Sequence, residues 1–326
     1  MTTLTIYTLK ALRKFYTNFF GINGGRFEYE EDPDKASQLI YEALIGDEPC
    51  MIARFGSTEM ACLQNFLGVQ STEENWMHYI KGISQPWWWE QSIINQMQRW
   101  SGFFPPTIEN IEHFCELMLQ DIPQVDILGS WLAGEKYFEE ELINTKKIRL
   151  MYLEPFWSTI PWVKALKDKT VLVVHPFSQT IEQQYKRRDL LFSNNLLPSF
   201  DLKTIKAVQS IAGEQTEFKN WFDALAYMKS EIDKVEYDIC LIGCGAYGFP
   251  LAAHVKRMGK KGFHLGGALQ LMFGIRGKRW EDPNYGVSAW GVPYGCYYSL
   301  MNEYWTRPGE IEKPKDVEKV EGACYW

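Results

Sequence analysis

The segment from Tyr237 to Gly267 constrains the fold of this chain more than any other. It begins with a continuous apolar run, Ile239 to Ile242, which is typical of a strand covered on both faces. A glycine-rich turn follows, and after it apolar residues recur with the spacing of an amphipathic helix. Residues 263–265 then return to a strand pattern. This order predicts two parallel strands joined by a helix.

The glycine turn in this segment is a candidate phosphate site. Gly243, Gly245 and Gly248 satisfy the spacing G-x-G-x-x-G between a strand and a helix, where free backbone N–H groups attract phosphates. A dinucleotide site also needs an acid near the end of the next strand, but that strand ends in Gly266 and Gly267. The turn therefore predicts a nucleotide or another phosphate as ligand. The alternative is that the glycines only permit a tight turn.

Strand and helix patterns alternate through most of the chain. Strands are predicted at residues 49–55, 125–129, 149–153, 170–174, 203–208, 239–242 and 263–265. Helices are predicted at residues 34–45, 58–67, 108–118, 135–143, 180–192 and 218–234. Such alternation predicts an α/β fold with a doubly wound, mostly parallel sheet, as in Rossmann-like proteins.

The chain divides into three predicted parts. Residues 1–48 form an N-terminal helical segment, and residues 49–280 form an α/β catalytic domain. Residues 72–120 of this domain are rich in tryptophan and phenylalanine and are predicted to form a helical insertion. Residues 281–326 are rich in Gly, Pro, Trp and Tyr, which predicts an irregular tail packed on the body.

The composition restricts the classes of partner. With 34 basic and 41 acidic residues the net charge is −7, which disfavours nonspecific binding to nucleic acid, so no nucleic-acid partner is expected. Aromatic residues make up 15% of the chain, and their faces suit sugars, bases and apolar surfaces. The seven cysteines are mostly isolated in apolar patterns, as reduced core residues are.

The first twenty residues bear on location. They lack the long apolar core of a signal peptide, and no apolar run in the chain is long enough to span a membrane, so a cytoplasmic protein is expected. Leu9, Leu12 and Phe15 are set among Lys10 and other basic residues without an acid, which predicts a basic amphipathic helix. Such a helix would either contact the inner face of a membrane or pack on the protein body.

Polar residues follow several of the predicted strands. In a parallel sheet, functional groups collect beyond the carboxyl ends of the strands. Arg54 follows the first strand and could pair with a phosphate or a carboxylate. Glu59 lies in the first turn of the next helix, where it could bind a metal, orient a sugar hydroxyl or complement the helix start. Glu154 and His175 end two later strands.

Two of these turns resemble a known enzyme family. The segment IARFGSTEM resembles the RFGDGE signature of the GT-D glycosyltransferases, and GCGAYGFPLAAHVKRMGKKGFHLGG resembles that family's later glycine turn, helix and closing strand. The resemblance implies a GT-D-like fold, a nucleotide-sugar donor, and a D-x-E motif that holds a divalent cation, Mg²⁺ or Mn²⁺, against the diphosphate. Here Ser57 replaces the Asp and only Glu59 remains, so the predicted metal site rests on a single carboxylate.

Glycosyl transfer assigns a role to each candidate residue. The residues predicted to bind the nucleotide and its phosphates are Arg54, Gly56, Ser57, Lys186, Arg187, Gly243, Gly245, Tyr247 and Gly248. The predicted catalytic residues are Glu59, Glu154 and His175, of which Glu154 and His175 are candidates for the base that deprotonates the acceptor. Trp131 and Trp157 are candidates for stacking on the base or on an acceptor sugar, with core packing as the alternative.

The sequence therefore predicts a glycosyltransferase that moves a sugar from a nucleotide-sugar donor to a glycan or glycoprotein acceptor, as in polysaccharide biosynthesis. Two alternatives stay open. The first is another nucleotide-dependent enzyme of Rossmann-like fold, which uses NAD or S-adenosylmethionine. The second is a non-catalytic nucleotide- or glycan-binding protein that kept the fold.

Overall fold

A computed structural model describes residues 1–21, 28–214, 216–313 and 324–326. One parallel sheet lies at the centre of the molecule. Its strands are β1 (Cys50–Ala53), β2 (Ile127–Ser130), β3 (Lys146–Arg149), β4 (Thr170–His175), β5 (Asp201–Lys206), β6 (Ile239–Ile242) and β7 (Lys261–His264). Their spatial order is β3-β2-β1-β7-β6-β4-β5, and every neighbouring pair is parallel. The predicted α/β fold is confirmed.

Helices cover both faces of this sheet. The helices of more than one turn are α1 (Thr3–Phe20), α2 (Pro33–Ile45), α3 (Ser57–Gln70), α4 (Trp76–Ile80), α5 (Gln91–Arg99), α6 (Ile108–Asp121), α7 (Ser178–Tyr185), α8 (Trp221–Asp233) and α9 (Gly248–Arg257). Three single turns follow, α10 (Leu269–Met272), α11 (Lys278–Glu281) and α12 (Val287–Trp290).

Alternate residues of the central strands face two separate hydrophobic cores. In β4, Val171 and Val173 belong to one core, whereas Leu172 and Val174 belong to the other. Helices α2, α7 and α10 contribute to the first core, and α3, α6, α8 and α9 contribute to the second. Because both faces of the sheet are buried at its centre, strands β1 and β6 are continuously apolar, and this made them recognisable in the sequence.

The prediction of a strand at residues 149–153 is wrong. Strand β3 ends at Arg149, and Leu150–Leu153 form a 3₁₀ turn. The first and last leucines of this turn pack over Gly129, where an added Cβ would lie 2.4 Å from the Leu153 side chain. Residues three apart share one side of a 3₁₀ helix, so the turn directs both leucines onto the sheet. Glu154 consequently lies one turn beyond the strand end.

The helix predicted at residues 180–192 is shorter than expected. Helix α7 ends at Tyr185, and its last turn contains the buried Gln184. The side-chain amide of Gln184 donates to the carbonyl of Gly274, which ties the helix end to the C-terminal part of the fold. The chain then bends so that Leu191, which is fully buried, enters the core.

The N-terminal helix α1 packs on α4 along one side only. Leu9 is buried there, Lys10 forms an ion pair with Glu90, and Arg13 donates to the carbonyl of Ser84 at 3.2 Å. The large apolar side chains exposed on this helix are Leu4, Tyr7, Leu12, Phe15, Phe19 and Phe20. Within the described residues, no helix combines the length and the apolarity needed to cross a membrane.

The aromatic residues of the predicted insertion have mixed surroundings. Phe103 packs against Phe114 and Trp221 with ring centroids 5.5 and 5.4 Å apart, so these rings fill the second core. Trp100 is partly exposed and faces the carboxyl edge of the sheet. In the C-terminal part, Trp305 is buried in the first core. Residues 22–27 and 314–323 of the predicted terminal segments lie outside the described residues.

Candidate functional site

The turns after β1 and β6 meet in one cavity at the carboxyl edge of the sheet. This central cavity has a volume of about 510 Å³, and Arg54 and Glu59 line it together with Gly243 and Gly245. The cavity lies at a switch point of the sheet, because β1 leads into α3 on one face whereas the neighbouring β7 leads into α10 on the other. Such crevices are where open α/β sheets bind their ligands.

Arg54 supplies a cation to the wall of the central cavity. Its guanidinium carbon lies 5.1 Å from the centroid of the Trp131 ring. In the described part of the chain, the Arg54 side chain has no hydrogen-bond acceptor and no ion-pair partner. Burial lowers the pKa of Arg54, whereas Tyr325 and Glu59 act in the opposite direction. A guanidinium that lines a cavity and has no acceptor there is suited to bind an anion.

Glu135, a buried acid that was not among the predicted site residues, holds the Trp131 loop in place. The Glu135 carboxylate accepts hydrogen bonds from the backbone N–H groups of Trp131 and Leu132, both at 2.9 Å, and from the hydroxyl of Ser130. The Trp131 indole N–H in turn donates to the carbonyl of Phe55 at 3.0 Å.

The same contacts explain why the helix predicted at residues 135–143 is a 3₁₀ segment, Ala133–Phe138, followed by turns. The carboxylate of Glu135 turns back onto the preceding loop instead of facing solvent from a helix. An acid three residues into a turn after a strand end, as in a capping box, was the available signal in the sequence.

Three glycines of the turn after β6 have different roles. Gly243 allows close packing, because an added Cβ would lie 2.7 Å from both the Gly266 carbonyl and the His175 ring. Gly245 has a φ of 59°, in the left-handed region. Gly248 is not among the lining residues, and an added Cβ there would lie 2.1 Å from the imidazole of His264.

Tyr247 lines the cavity, and residues of the protein core fix the side of its ring that faces away from the cavity. Its ring stacks on Trp221 with centroids 4.8 Å apart, and its hydroxyl lies 3.1 Å from that of Ser210. One face of the ring is therefore already covered. Tyr247 forms a fixed part of the wall beside the glycine turn.

His175 lines the same cavity as a neutral hydrogen-bond donor. Its Nδ1 accepts the backbone N–H of Phe177 at 3.0 Å, so the ring proton of the neutral form is on Nε2. Burial lowers the pKa of His175 to about 3, which keeps the ring uncharged at neutral pH. The sequence predicts His175 as a base, but this arrangement suits donation of Nε2–H to an acceptor oxygen.

Ser57 and Glu59 do not form a site that fits a divalent cation. Ser57 is exposed, and the Glu59 carboxylate folds back over Gly56, where an added Cβ would lie 1.7 Å from Oε2. The described residues contain no group of three His, Cys, Asp or Glu side chains arranged to hold a metal ion. A single carboxylate beside the cationic Arg54 is a poor ligand set for Mg²⁺ or Mn²⁺.

A second cavity adjoins the first and contains Glu154. This side cavity has a volume of about 390 Å³ and shares several wall residues with the central cavity, among them Arg54 and Trp131. The Glu154 carboxylate accepts from the Trp157 indole at 2.9 Å and from the Tyr297 hydroxyl at 3.0 Å. Burial raises the pKa of Glu154 to about 7, against the effect of these two hydrogen bonds.

Besides Gly248, three predicted site residues lie outside both cavities. Trp157 holds Glu154 from behind and packs edge-on against Tyr297. Lys186 and Arg187 are exposed at the far end of α7, where the Arg187 Nε donates to Gln184 at 2.6 Å. None of the three is among the residues that line the cavities.

The C-terminal part contributes wall residues that sequence reasoning missed. Arg279, Tyr285, Trp290 and Tyr325 line both cavities. The guanidinium carbon of Arg279 lies 4.3 Å from the centroid of the Tyr325 ring. The high density of aromatic residues in this part was the only signal in the sequence, since nothing local to it indicates which sheet edge it covers.

The fold and the site together define a doubly wound α/β protein with a cationic, aromatic-lined cavity at the carboxyl edge of its sheet. No family model, no curated protein and no solved structure matches this chain significantly.

Proposed function

We propose that this protein is a glycosyltransferase whose central cavity binds the diphosphate of a nucleotide-sugar donor. The observation that carries the proposal is the convergence of Arg54 with the glycine turn at Gly243 and Gly245 in one cavity. Arg54 brings a charge without an acceptor in the described part of the chain, and the turn precedes the start of α9. Both features favour a ligand with adjacent phosphates.

The walls of the cavity favour a sugar nucleotide over a dinucleotide. Strand β7 ends at His264 and is followed by Leu265, Gly266 and Gly267, so no carboxylate is placed there to accept a ribose diol. Trp131, Trp290 and Tyr325 provide aromatic faces of the kind that stack on sugar rings and bases. A volume of about 510 Å³ lies within the range of sites that bury a ligand of this size.

Transfer requires that the departing diphosphate be stabilised. In the proposed mechanism, Arg54 neutralises the charge that develops on the leaving phosphate, and the Nε2–H of His175 donates a further hydrogen bond. The acceptor is a hydroxyl of a glycan or glycoprotein. Because the ligand set at Ser57 and Glu59 does not fit a divalent cation, the mechanism depends on these cationic and neutral donors.

A binding protein without catalysis is the second candidate. The observation that favours it is the replacement of the expected Asp by the exposed Ser57 in a turn that otherwise resembles a catalytic motif. Such a protein would bind a nucleoside diphosphate but would not break the bond between sugar and phosphate.

Calorimetric titration tests the proposal and separates the alternatives. We expect UDP or GDP to bind, with the same affinity in EDTA as in Mg²⁺, and the matching sugar nucleotide to be hydrolysed slowly. Binding of NAD or S-adenosylmethionine without affinity for either diphosphate would contradict the proposal. Diphosphate binding without any hydrolysis would favour the binding protein.

We also propose that helix α1 holds the protein at the inner face of a membrane. The supporting features are the apolar stripe of α1 and the exposed Trp76 and Met77 of the adjacent α4. Residues 1–20 contain no acid, and Lys14 is exposed beside the stripe, which favours an anionic lipid surface as the occupant.

A further inference from the structure

The side cavity is a separate compartment that adjoins the central cavity and shares part of its wall. The residues common to both walls are Arg54, Trp131, Gly267, Arg279, Tyr285, Trp290 and Tyr325. A ligand in the side cavity would therefore lie against the same guanidinium groups and rings as a diphosphate in the central cavity. Two adjoining compartments with a shared wall suit a reaction between two substrates.

The chemistry of the side cavity differs from that of the central one. Its walls are formed largely by aromatic and aliphatic side chains, including Trp280, Tyr285 and Met151. Glu154 is the only carboxylate among its described lining residues. A carboxylate in an aromatic compartment is the arrangement that binds and deprotonates a hydroxyl on a sugar ring.

Glu154 is held in a defined orientation. Trp157 donates to its Oε2 and Tyr297 donates to its Oε1, so each oxygen has one partner and keeps one lone pair. The donors belong to separate parts of the chain, and their two rings pack edge-on at 5.2 Å. The support resembles the positioning of a general base rather than a surface carboxylate with a freely rotating side chain.

We infer that the side cavity binds the acceptor, a hydroxyl-bearing sugar ring, and that Glu154 takes the proton from its attacking hydroxyl. This inference rests on the proposed function. In the step, the acceptor oxygen forms a bond to the anomeric carbon of the donor while its proton passes to Glu154. The bond between that carbon and the phosphate oxygen breaks, and the electron pair leaves with the nucleoside diphosphate beside Arg54.

The burial that raises the pKa of Glu154 to about 7 supports this role. A base acts best when its pKa lies near the working pH, because it is then partly ionised yet basic enough to accept a proton. At neutral pH about half of the Glu154 side chains would carry a negative charge.

The test measures the release of nucleoside diphosphate by the full chain. The donors are UDP-glucose, UDP-galactose, UDP-N-acetylglucosamine and GDP-mannose, each supplied with and without a methyl glycoside as acceptor. We expect Glu154→Gln to lower turnover by roughly 100-fold or more, and to remove the rise of the rate with pH near neutrality. Its affinity for UDP or GDP should be unchanged. Glu236→Gln, at a carboxylate whose side chain is 95% exposed, is the matched control and should match the wild type.

A second variant tests the cavity itself. Ala289 is exposed and lines the side cavity but not the central one. Ala289→Trp should therefore fill the side cavity without disturbing the core. We expect loss of the acceleration by methyl glycosides with retained nucleoside diphosphate affinity. Ser288→Trp adds the same bulk at an exposed neighbour that lines neither cavity, and should behave as wild type.

The outcomes separate this inference from the function on which it rests. Turnover by Glu154→Gln at the wild-type rate, or glycoside acceleration that persists in Ala289→Trp, would overturn the inference and leave the glycosyltransferase proposal standing. A wild-type protein that binds none of the nucleotides would overturn the proposed function and the inference with it. Nucleotide binding without any turnover would overturn the base assignment and favour the binding protein.

Discussion

The Arg54 guanidinium carbon lies 5.1 Å from the centroid of the Trp131 ring, and the pair forms part of the wall between the two cavities. Trp131 is itself tied to the carbonyl of Phe55, which directly follows Arg54 in the chain. The stacking therefore fixes the direction of the cation, while its N–H groups find no acceptor in the described part of the protein. Binding of an anion would complete this arrangement.

Replacement of Arg54 tests its role as the anion-binding cation. We expect Arg54→Ala to weaken UDP or GDP binding by about 10- to 100-fold, which corresponds to the roughly 1.5–3 kcal/mol typical of a hydrogen bond to a charged group. Arg54→Lys should recover only part of the affinity, because an ammonium cannot stack on Trp131 in the same way. Titration calorimetry measures both, with Arg187→Ala as the control at an exposed arginine outside the cavities. Equal affinities in Arg54→Ala and wild type would contradict this role.

Gly248 is expected to matter for stability rather than for ligand affinity. An added Cβ would lie 2.1 Å from two ring atoms of the buried His264, so Gly248→Ala should lower the free energy of unfolding by about 1–3 kcal/mol. The double variant Gly248→Ala/His264→Ala should be destabilised by less than the sum of the two single variants, because the second change removes the clash. Denaturant unfolding gives these values. Strict additivity would show that the added methyl group does not clash with His264. A loss of nucleotide affinity without a loss of stability would show that the glycine contacts the ligand.

The raised pKa of Glu154 predicts a pH-dependent stability. Its pKa rises from 4.5 to about 7, so between these values the folded protein holds a proton that the unfolded chain has released. The free energy of unfolding therefore falls as pH rises through this window. Relative to Glu154→Gln, the wild type should lose on the order of 3–4 kcal/mol across the window and show a constant difference on either side of it. Denaturant unfolding of both proteins at a series of pH values measures the difference. A difference that stays constant from acid to neutral pH would mean that folding does not raise the pKa of Glu154.

The exposed stripe of α1 predicts binding to anionic vesicles. Phe15 and Phe19 are 60% and 70% exposed, and the double variant Phe15→Glu/Phe19→Glu should abolish co-sedimentation with vesicles of anionic phospholipid. Tyr227→Glu is the control, since Tyr227 is exposed on α8 and should not affect binding. The contrary outcome is a wild-type protein that does not bind vesicles and sediments as a dimer, with the double variant sedimenting as a monomer. A second copy of the chain would then cover this stripe.

The local parts of the fold were readable from the sequence because they depend on short-range patterns. The apolar run at Ile239–Ile242 predicted a buried strand, and the spacing that follows it predicted helix α9. The errors arose where a long-range contact overrode the local pattern. Leu150 and Leu153 resemble the end of a strand in sequence, but their packing on Gly129 of another strand converts the segment into a 3₁₀ turn.

The candidate site was only partly predictable for a related reason. Arg54 and Gly243 could each be recognised as residues that follow a strand, whereas the environments of Glu154 and His175 could not. Burial sets the pKa of both, and in His175 a backbone hydrogen bond also selects the tautomer. Such effects depend on every group packed around the side chain, and most of those groups are remote in sequence.

By itself, the sequence determined that this chain forms buried parallel strands, with helices between them and glycine turns at two strand ends. The tertiary structure alone decided that β7 lies between β1 and β6, and that the two turns face a common cavity closed by Arg279 and Tyr325. The physical reason is that strand order and cavity walls arise from contacts between residues far apart along the chain, which local patterns of polarity do not encode.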